Sequence, residues 1–486
     1  MKFNIIKKDS IKFTHDQEIA VDNLIRFIDT PWSNKGERIN ALCGAGGTGK
    51  TFVIKYVLEN CKYSNSVIAC AAPTHKACRV LSNSIGGKKV NTIQSLFGFR
   101  LDVDIDNFDP NNPAFNPIGN NKLLERDGSS FVSLLVIDEA SMLNSRLVKY
   151  ISDFCKKHRI KIIFIGDSSQ LPPVNESSSY AFLIASKTYY LKEVVRQGQD
   201  NPISHLLDLL RYDIGHKGTW KFLEYINTHK EEINDEGKGF TVCNLKEFGH
   251  NIKDSFSDEK YTKDIDMYRV IAYTNNRVSG WNNYIRKNII KDNNIIGKHD
   301  LLMSYVTIVD DFNDAIINNS EEYIIKEIID TIDPTYSFKG FFIKFQAIHG
   351  GIVSRPLFVI DHSDSYTFQM YYKQLNALKD DALSADKGSK SSKWRAYFEY
   401  KKKYLIATNI INPSSNTILF SRDIDYGFAI TSHKSQGSTY KNVFVDINDI
   451  VYDKNGHPYT NRDELLRRLY VACSRASNKL ILCYGY

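Results

Sequence analysis

The chain has 486 residues, 42% hydrophobic and 24% charged, with a formal net charge of +7. That length exceeds what one core covers, so about two to four domains are expected. The mild positive charge fits a polyanionic partner and equally a solvated, lysine-rich surface. The eight cysteines include no C-x-x-C pair, and Cys43, Cys70 and Cys473 sit in apolar runs, so buried free thiols in a reducing compartment are expected rather than disulfides or zinc. No apolar run reaches about 18 residues and no signal-peptide segment is seen, which points to a soluble, intracellular, cytoplasmic protein with no membrane partner.

Residues 1–14 read as a loosely attached lead-in. From Asp16 a helix is predicted, because Ile19, Ala20, Leu24, Phe27 and Ile28 recur at helical spacing. Gln17 stands at its start, with an amide able to read an adenine edge or simply to face solvent. A buried strand ending at Leu42 then runs into Cys43-Gly44-Ala45-Gly46-Gly47-Thr48-Gly49-Lys50-Thr51 and a helix from Phe52. Gly44, Gly49, Lys50 and Thr51 satisfy the P-loop pattern. Glycines let successive N–H groups turn toward phosphate, and the helix N-terminus adds partial positive charge. Lys50 suits the β- and γ-phosphates, and the Thr51 hydroxyl suits Mg²⁺. Gly44, Gly46 and Gly49 also fit a dinucleotide fingerprint. That alternative needs an acidic residue about 20 positions on, whereas the next strand, 66–72, ends on alanine before Pro73.

Further along, Thr74-His75-Lys76 and Thr92 fall at turns suited to phosphate contacts of a nucleic-acid strand, or to plain helix capping. The apolar run 131–137 predicts a strand buried on both faces and ends in Asp138-Glu139. Downstream of a P-loop, Asp138 can hold Mg²⁺ and Glu139 can deprotonate the attacking water. A second buried strand, 160–165, leads to Gln170, placed to touch both γ-phosphate and water. Arg196 lies where a first domain hands over to a second.

Taken together, Gln17, the P-loop, Ala72-Pro73-Thr74-His75-Lys76-Ala77, Asp138-Glu139-Ala140-Ser141, Gly166-Asp167-x-x-Gln170-Leu171-Pro172-Pro173-Val174 and the Arg196 segment resemble superfamily 1 helicases, most of all the RecD- and Dda-like branch. Near the carboxyl end, Thr431-Ser432-His433-Lys434-Ser435-Gln436-Gly437 is similar to that branch's motif V, and Leu469-Tyr470-Val471-Ala472-Cys473-Ser474-Arg475 to its motif VI. Ala45 and Gly46 stand where relatives often carry Pro-Ala, and Ser474 where Thr is commoner.

The resemblance implies an α/β protein of two RecA-like, parallel-sheet P-loop domains, with a small hairpin insertion and an SH3-like β insertion. It implies a first motor domain over 1–96 and 131–190, a hairpin over 97–130, a second motor domain over 191–295 and 421–486, and the β insertion over 296–420. Lys50, Glu139, Gln170, Arg196 and Arg475 would be catalytic, Arg475 as an arginine finger. Gln17, Gly44, Gly46, Gly47, Thr48, Gly49, Lys50, Thr51, Asp138, Gln436 and Gly437 would hold ATP, with Thr51 and Asp138 on Mg²⁺. Thr74, His75, Lys76, Thr92, Thr431 and His433 would touch the strand.

Within the insertion, the residues around 324–332 fit both a strand and a helix period, and the resemblance favours strands. Trp394 lies in a basic, aromatic stretch, 387–403, suited either to stacking on bases or to packing at helical spacing. In the hairpin, Asp102-Val103-Asp104-Ile105-Asp106 alternates as a strand does, and the resemblance makes this the element that splits a duplex. The expected activity is a 5′-to-3′ helicase working as a monomer on single-stranded and forked DNA, with single-strand-binding protein or replication factors as further partners and a phage as the source. A translocase that clears proteins without unwinding, and a P-loop kinase or nucleotide switch, are the alternatives.

Overall fold

The computed structural model describes residues 12–101, 115–117, 119–125, 130–173, 175–193, 201–292, 294–309, 315–348, 351–411 and 418–485. The chain divides into two compact units. One comprises Met1–Phe99, Pro117–Leu245 and Ser435–Tyr486, the other Arg100–Asn116 and Lys246–Lys434.

The first unit is built on apolar, β-branched runs that only a doubly covered sheet can bury. Its strands are β1 (Ile39–Gly44), β2 (Ile68–Ala72), β3 (Val90–Thr92), β4 (Leu134–Ile137), β5 (Lys161–Gly166) and β6 (Lys187–Leu191). They pair in parallel in the order β3-β2-β4-β5-β1-β6. Helices α1 (His15–Asp29) and α2 (Lys50–Asn60) cover one face, where Leu24, Val53 and Val57 meet Leu42, Val136 and Ile163. Helix α3 (His75–Ser84) follows β2. Helix α4 (Ser145–Lys157) covers the other face, setting Val148 and Ile151 against Ala41, Leu135 and Phe164. Each such side chain removed from water contributes about 1.5–3 kcal/mol before entropy is counted.

Helix α1 is fixed at both ends. Thr14 and Gln17 form a reciprocal capping box at its start. At its end the fully buried Lys161 donates from Nζ to the carbonyls of Phe27, Ile28 and Thr30, a cation where the helix dipole is negative. Ile19, which the helical period would place inward, is exposed. All eight cysteines are free thiols. Strand β7 (Gly239–Cys243) also belongs to this unit.

The second unit contains β8 (Tyr268–Ala272), followed by a helix, Asn275–Ile285. Next come β9 (Leu301–Ser304), β10 (Glu322–Ile332), β11 (Lys339–Ala347), β12 (Leu357–Ile360) and β13 (Ile424–Tyr426), forming an antiparallel sheet in the order β12-β11-β10-β9-β13. The 324–332 stretch is therefore strand: Ile328 lies opposite Ile343 and Ile329 opposite Phe342, and cross-strand pairing overrides the helical period. Strand β14 (Ala429–Thr431) pairs in parallel with β8. Two buried ion pairs, Arg269–Glu322 and Arg286–Asp300, each at 2.7 Å, tie the antiparallel sheet to the β8 region. Arg100–Leu101 pairs antiparallel with Phe115–Asn116, and Asp102–Asp106 lies outside the described residues. The chain returns to the first unit with β15 (Tyr440–Asp446) and β16 (Ala476–Cys483), parallel to each other, with β16 also parallel to β7. The parallel α/β sheets make the architecture RecA-like.

The basic, aromatic stretch is helical. Helices α5 (Ser365–Leu383) and α6 (Lys387–Lys403) pack through Tyr371, Trp394, Tyr397 and Tyr400 against Phe338 and Phe358. Trp394 is fully buried, its ring 5.4 Å from that of Tyr397. This corrects the assignment of Trp394 to nucleic-acid contact, since no face is open for a base to stack on. Trp394→Ala should lower unfolding free energy by about 3–5 kcal/mol, measured by denaturant titration. Trp394→Phe should keep single-strand affinity within twofold; a large loss of affinity in a folded Phe variant would restore the stacking role.

Candidate active site

The carboxyl ends of β1, β4 and β5 open side by side, because these strands share one parallel sheet. After β1 the chain turns through Gly47 (φ 86°) and Gly49 (φ 83°) into α2. Both lie in the left-handed region that favours glycine. At Gly44 an added Cβ would come within 2.5 Å of Thr48 Oγ1 and 2.9 Å of the Leu191 carbonyl, so close packing demands glycine there. At Gly46 the added Cβ would meet nothing within 4 Å, which leaves open space in front of the loop. Thr48 is buried and closes the loop through its hydroxyl to the Ala45 carbonyl at 2.9 Å. Lys50 folds back, donating from Nζ to the carbonyls of Gly44 at 2.7 Å and Ala45 at 2.9 Å. Thr51 follows in the first turn of α2.

Gln17 does not present a free amide. Its Nε2 donates to the Thr48 carbonyl at 3.0 Å, its Oε1 accepts from the Thr14 N–H at 3.1 Å, and the side chain is buried. In this arrangement it braces the P-loop against α1, and an adenine edge could be read only by sharing or breaking these bonds.

At the end of β4, Asp138 accepts from the Glu139 N–H at 2.8 Å. Part of the residue is reachable by solvent, yet protein surrounds the carboxylate. Burial first, and the neighbouring Glu139 second, push its pKa up to about 7. Glu139 sits at φ 50°, a left-handed conformation rare for a residue with a side chain, of the kind concentrated at functional sites. Three buried side-chain oxygens here have no partner among the described residues: Glu139 Oε2, Ser141 Oγ and Gln170 Oε1. Orphaned acceptors of this kind need water, a cation or a ligand. With the open cradle at Gly46, they fit a nucleotide triphosphate and a hard cation. Among the described residues no cluster of three or more His, Cys, Asp or Glu could hold a metal, as expected where phosphates and water supply most of the coordination.

Helix α7 (Arg462–Cys473) is capped by Ser474, and Arg475 follows it directly. The Arg475 guanidinium is buried and donates from Nη1 to the Ser438 carbonyl at 3.1 Å, from Nε to the Val471 carbonyl at 3.0 Å and from Nη2 to Ser474 Oγ at 2.7 Å. Burial lowers its pKa, while the field of Glu139 holds the charge in place. Gln436 Nε2 donates to the Leu171 carbonyl at 3.2 Å, and Gly437 takes φ 72°. Lys50, Asp138, Glu139, Gln170, Gln436 and Arg475 all belong to the first unit. Arg196 lies outside the described residues.

Of the expected strand contacts, Thr74 and Thr92 cap helices, accepting from the N–H of Ala77 and of Ser95, each at 3.2 Å. His75 and Lys76 open α3, and the Lys76 ammonium lies 5.4 Å from the Tyr440 ring centroid. In the second unit, Thr431 accepts from the Lys434 N–H at 3.2 Å, and His433 is half-buried beside it. Sequence reading passed over Lys434, whose Nζ donates to Ser320 Oγ at 2.9 Å and Asn319 Oδ1 at 3.1 Å above the Tyr305 ring. Burial, then Arg422, pull its pKa down to about 8. It also passed over Arg467, which donates to the carbonyls of Ser168 and Gln170. The available signal was its helical spacing from Arg475.

A phosphate cradle, an acidic pair at a strand end and a buried arginine, set on RecA-like sheets, define a P-loop nucleotide triphosphatase. Residues 27–227 match the AAA domain model and residues 426–483 the UvrD-like helicase C-terminal domain model, together more than half of the chain. These two domain matches, with the helicase relatives, are consistent with a superfamily 1 helicase of the Pif1/RecD-like group. It is 25% identical to an uncharacterized protein of Acanthamoeba polyphaga mimivirus over 96% of this chain and 99% of that protein. To the ATP-dependent DNA helicase dda of Enterobacteria phage T4 it is 26% identical, over 64% of this chain and 66% of that one. Among solved structures, the Pif1 helicase from Bacteroides in complex with ADP-AlF3 and ssDNA aligns over 97% of this chain and 92% of its own, with TM-score 0.49 and 16% identity. No helix among the described residues is long and apolar enough to cross a membrane.

The raised Asp138 pKa gives a signed prediction. In the metal-free protein an ionised Asp138 opposes folding, so its contribution worsens as pH rises from the ordinary carboxylate range through about 7. Asp138→Asn should therefore raise the thermal midpoint in EDTA at pH 8, with the gain shrinking toward pH 5. A midpoint unchanged or lowered at pH 8 would contradict burial as the cause.

Proposed function

We propose that the protein is an ATP-dependent DNA helicase that moves 5′ to 3′ along single-stranded DNA and unwinds duplex. The observation that carries this reading is the group of orphaned oxygens of Glu139, Ser141 and Gln170, in the unit that also supplies the P-loop and Arg475. The relatives' names supply the DNA substrate, and the motif order supplies the polarity. Thr51 and Asp138 would hold Mg²⁺, and bound MgATP supplies the transferable phosphoryl group. Lys50 would leave its two loop carbonyls for the β- and γ-phosphates. Glu139 takes the proton from the attacking water while Gln170 orients it. Arg475 meets the charge that develops on the γ-phosphoryl. Thr74, His75, Lys76, Thr92, Thr431 and His433 would touch the strand. Arg196, by its place in the motif order, would complete the cation set, and the 97–130 insertion would separate strands at a fork.

Single-strand-stimulated ATP hydrolysis, run with DNA and RNA, separates this reading from a kinase or switch. A forked duplex with a 5′ or a 3′ tail separates it from a translocase that does not unwind and tests the polarity. Glu139→Gln should bind ATP normally and turn over at least about a hundredfold more slowly. Arg475→Ala should lower kcat sharply, as arginine fingers contribute about 10³–10⁵, with ATP affinity nearly unchanged. Equal losses in affinity and turnover would reduce Arg475 to a ground-state contact.

A further inference from the structure

The loop after β5 is gripped from outside the nucleotide site. Tyr470, 1% exposed, donates its hydroxyl to Oδ2 of Asp167, 3% exposed, at 2.7 Å. One turn earlier on α7, Arg467 donates from Nη1 to the Gln170 carbonyl at 3.0 Å and to the Ser168 carbonyl. Gln436 holds the Leu171 carbonyl. Within the loop, Asp167 Oδ1 accepts from the Ser169 N–H at 2.9 Å, and its carbonyl from the Gln170 N–H at 3.2 Å. The backbone over 167–171 is thus fixed on its outer side, while the buried Oε1 of the Gln170 side chain has no partner among the described residues.

Arg467 adds a charge to this grip. Among the described residues no carboxylate lies within ion-pairing distance of it, and its contacts are neutral carbonyls. Burial lowers its pKa, while Asp463 and Asp167 sustain the charge through space. A half-buried cation held by carbonyls of one loop ties that loop to α7, because releasing it gives up two charge-assisted hydrogen bonds.

We propose that Arg467 and Tyr470 are positioning residues for hydrolysis, clamping the 167–171 loop to the helix that leads directly into Arg475 so that Gln170 and Arg475 keep one fixed geometry. The inference rests on the proposed function and goes beyond it, because neither residue is among those that reading assigns to nucleotide or strand. A misplacement of about 1 Å in a catalytic group is enough to cost about a hundredfold in rate, so the clamp should appear in kcat and not in ATP affinity.

The test is a double-substitution cycle on ATP turnover, with and without single-stranded DNA. Tyr470→Phe removes one hydroxyl and keeps the buried ring. It should lower kcat at least tenfold, with KM for ATP within twofold. In a Gln170→Ala background the same change should have little further effect, since the clamp acts through Gln170. Arg467→Ala should behave likewise, and Arg467→Lys should recover part of the rate by donating to the same carbonyls. The clamp is overturned by a Tyr470→Phe protein that keeps kcat within twofold, by additive losses in the cycle, or by a lowered thermal midpoint with unchanged kcat. A wild type that hydrolyses ATP but ignores DNA overturns the helicase reading and leaves the cycle readable; no hydrolysis at all overturns both.

Discussion

The site depends on burying charge at the carboxyl edge of a parallel sheet. β4 is covered on both faces, so the residues just past its end can reach water only through the site opening. Two adjacent carboxylates placed there repel each other and lose hydration, and the Asp138 proton is held up to about 7 as a result. A group that is costly to ionise in the empty protein is well suited to a divalent cation, which relieves the same cost. The P-loop, the left-handed turn at Glu139 and the orphaned oxygens beside it suit that exchange, in keeping with the proposed MgATP site. Stability surrendered at this edge is recovered in the two apolar layers beneath it, where Leu24, Val57, Phe164 and Ile151 are fully buried.

Much of this was legible in the sequence because it is local. A glycine that must take positive φ, a lysine one residue beyond it, and two acids after four apolar residues each signal their role within a few positions. β1, β4 and β5 fall where continuous apolar runs predict them, and the free, mostly buried cysteines follow from their apolar surroundings. The ambiguous isoleucines of β10 needed the partner strand β11 to settle their period. No window of residues 322–332 contains that information.

What stayed hidden is non-local. Lys161 looks like a solvent-facing lysine at a strand start, yet it is buried against the end of α1, 131 to 134 positions away in sequence. Gln17 looked free to read a base; the P-loop carbonyl that occupies its amide lies 31 residues on. Trp394 failed for a related reason. Basic residues flanking aromatics look alike whether the rings face bases or a neighbouring helix, and only the partner, here Tyr371 and its neighbours on α5, decides.

The same distinction shows why Arg467 matters more than its neighbours suggest. A basic residue in an exposed helical turn is usually a solvated one, and the surface contacts it makes contribute little. Arg467 instead reaches across 297 and 299 positions of sequence to carbonyls of the loop that carries Gln170. Tyr470, three residues on, lies 303 positions from Asp167 on the same loop. Because Arg475 follows α7 by two residues, one stretch of chain carries both the proposed arginine finger and the grip on the loop of Gln170. Shifting that helix would move both groups together. Hydrolysis would then respond to the position of a single helix rather than to two groups that must find their places independently.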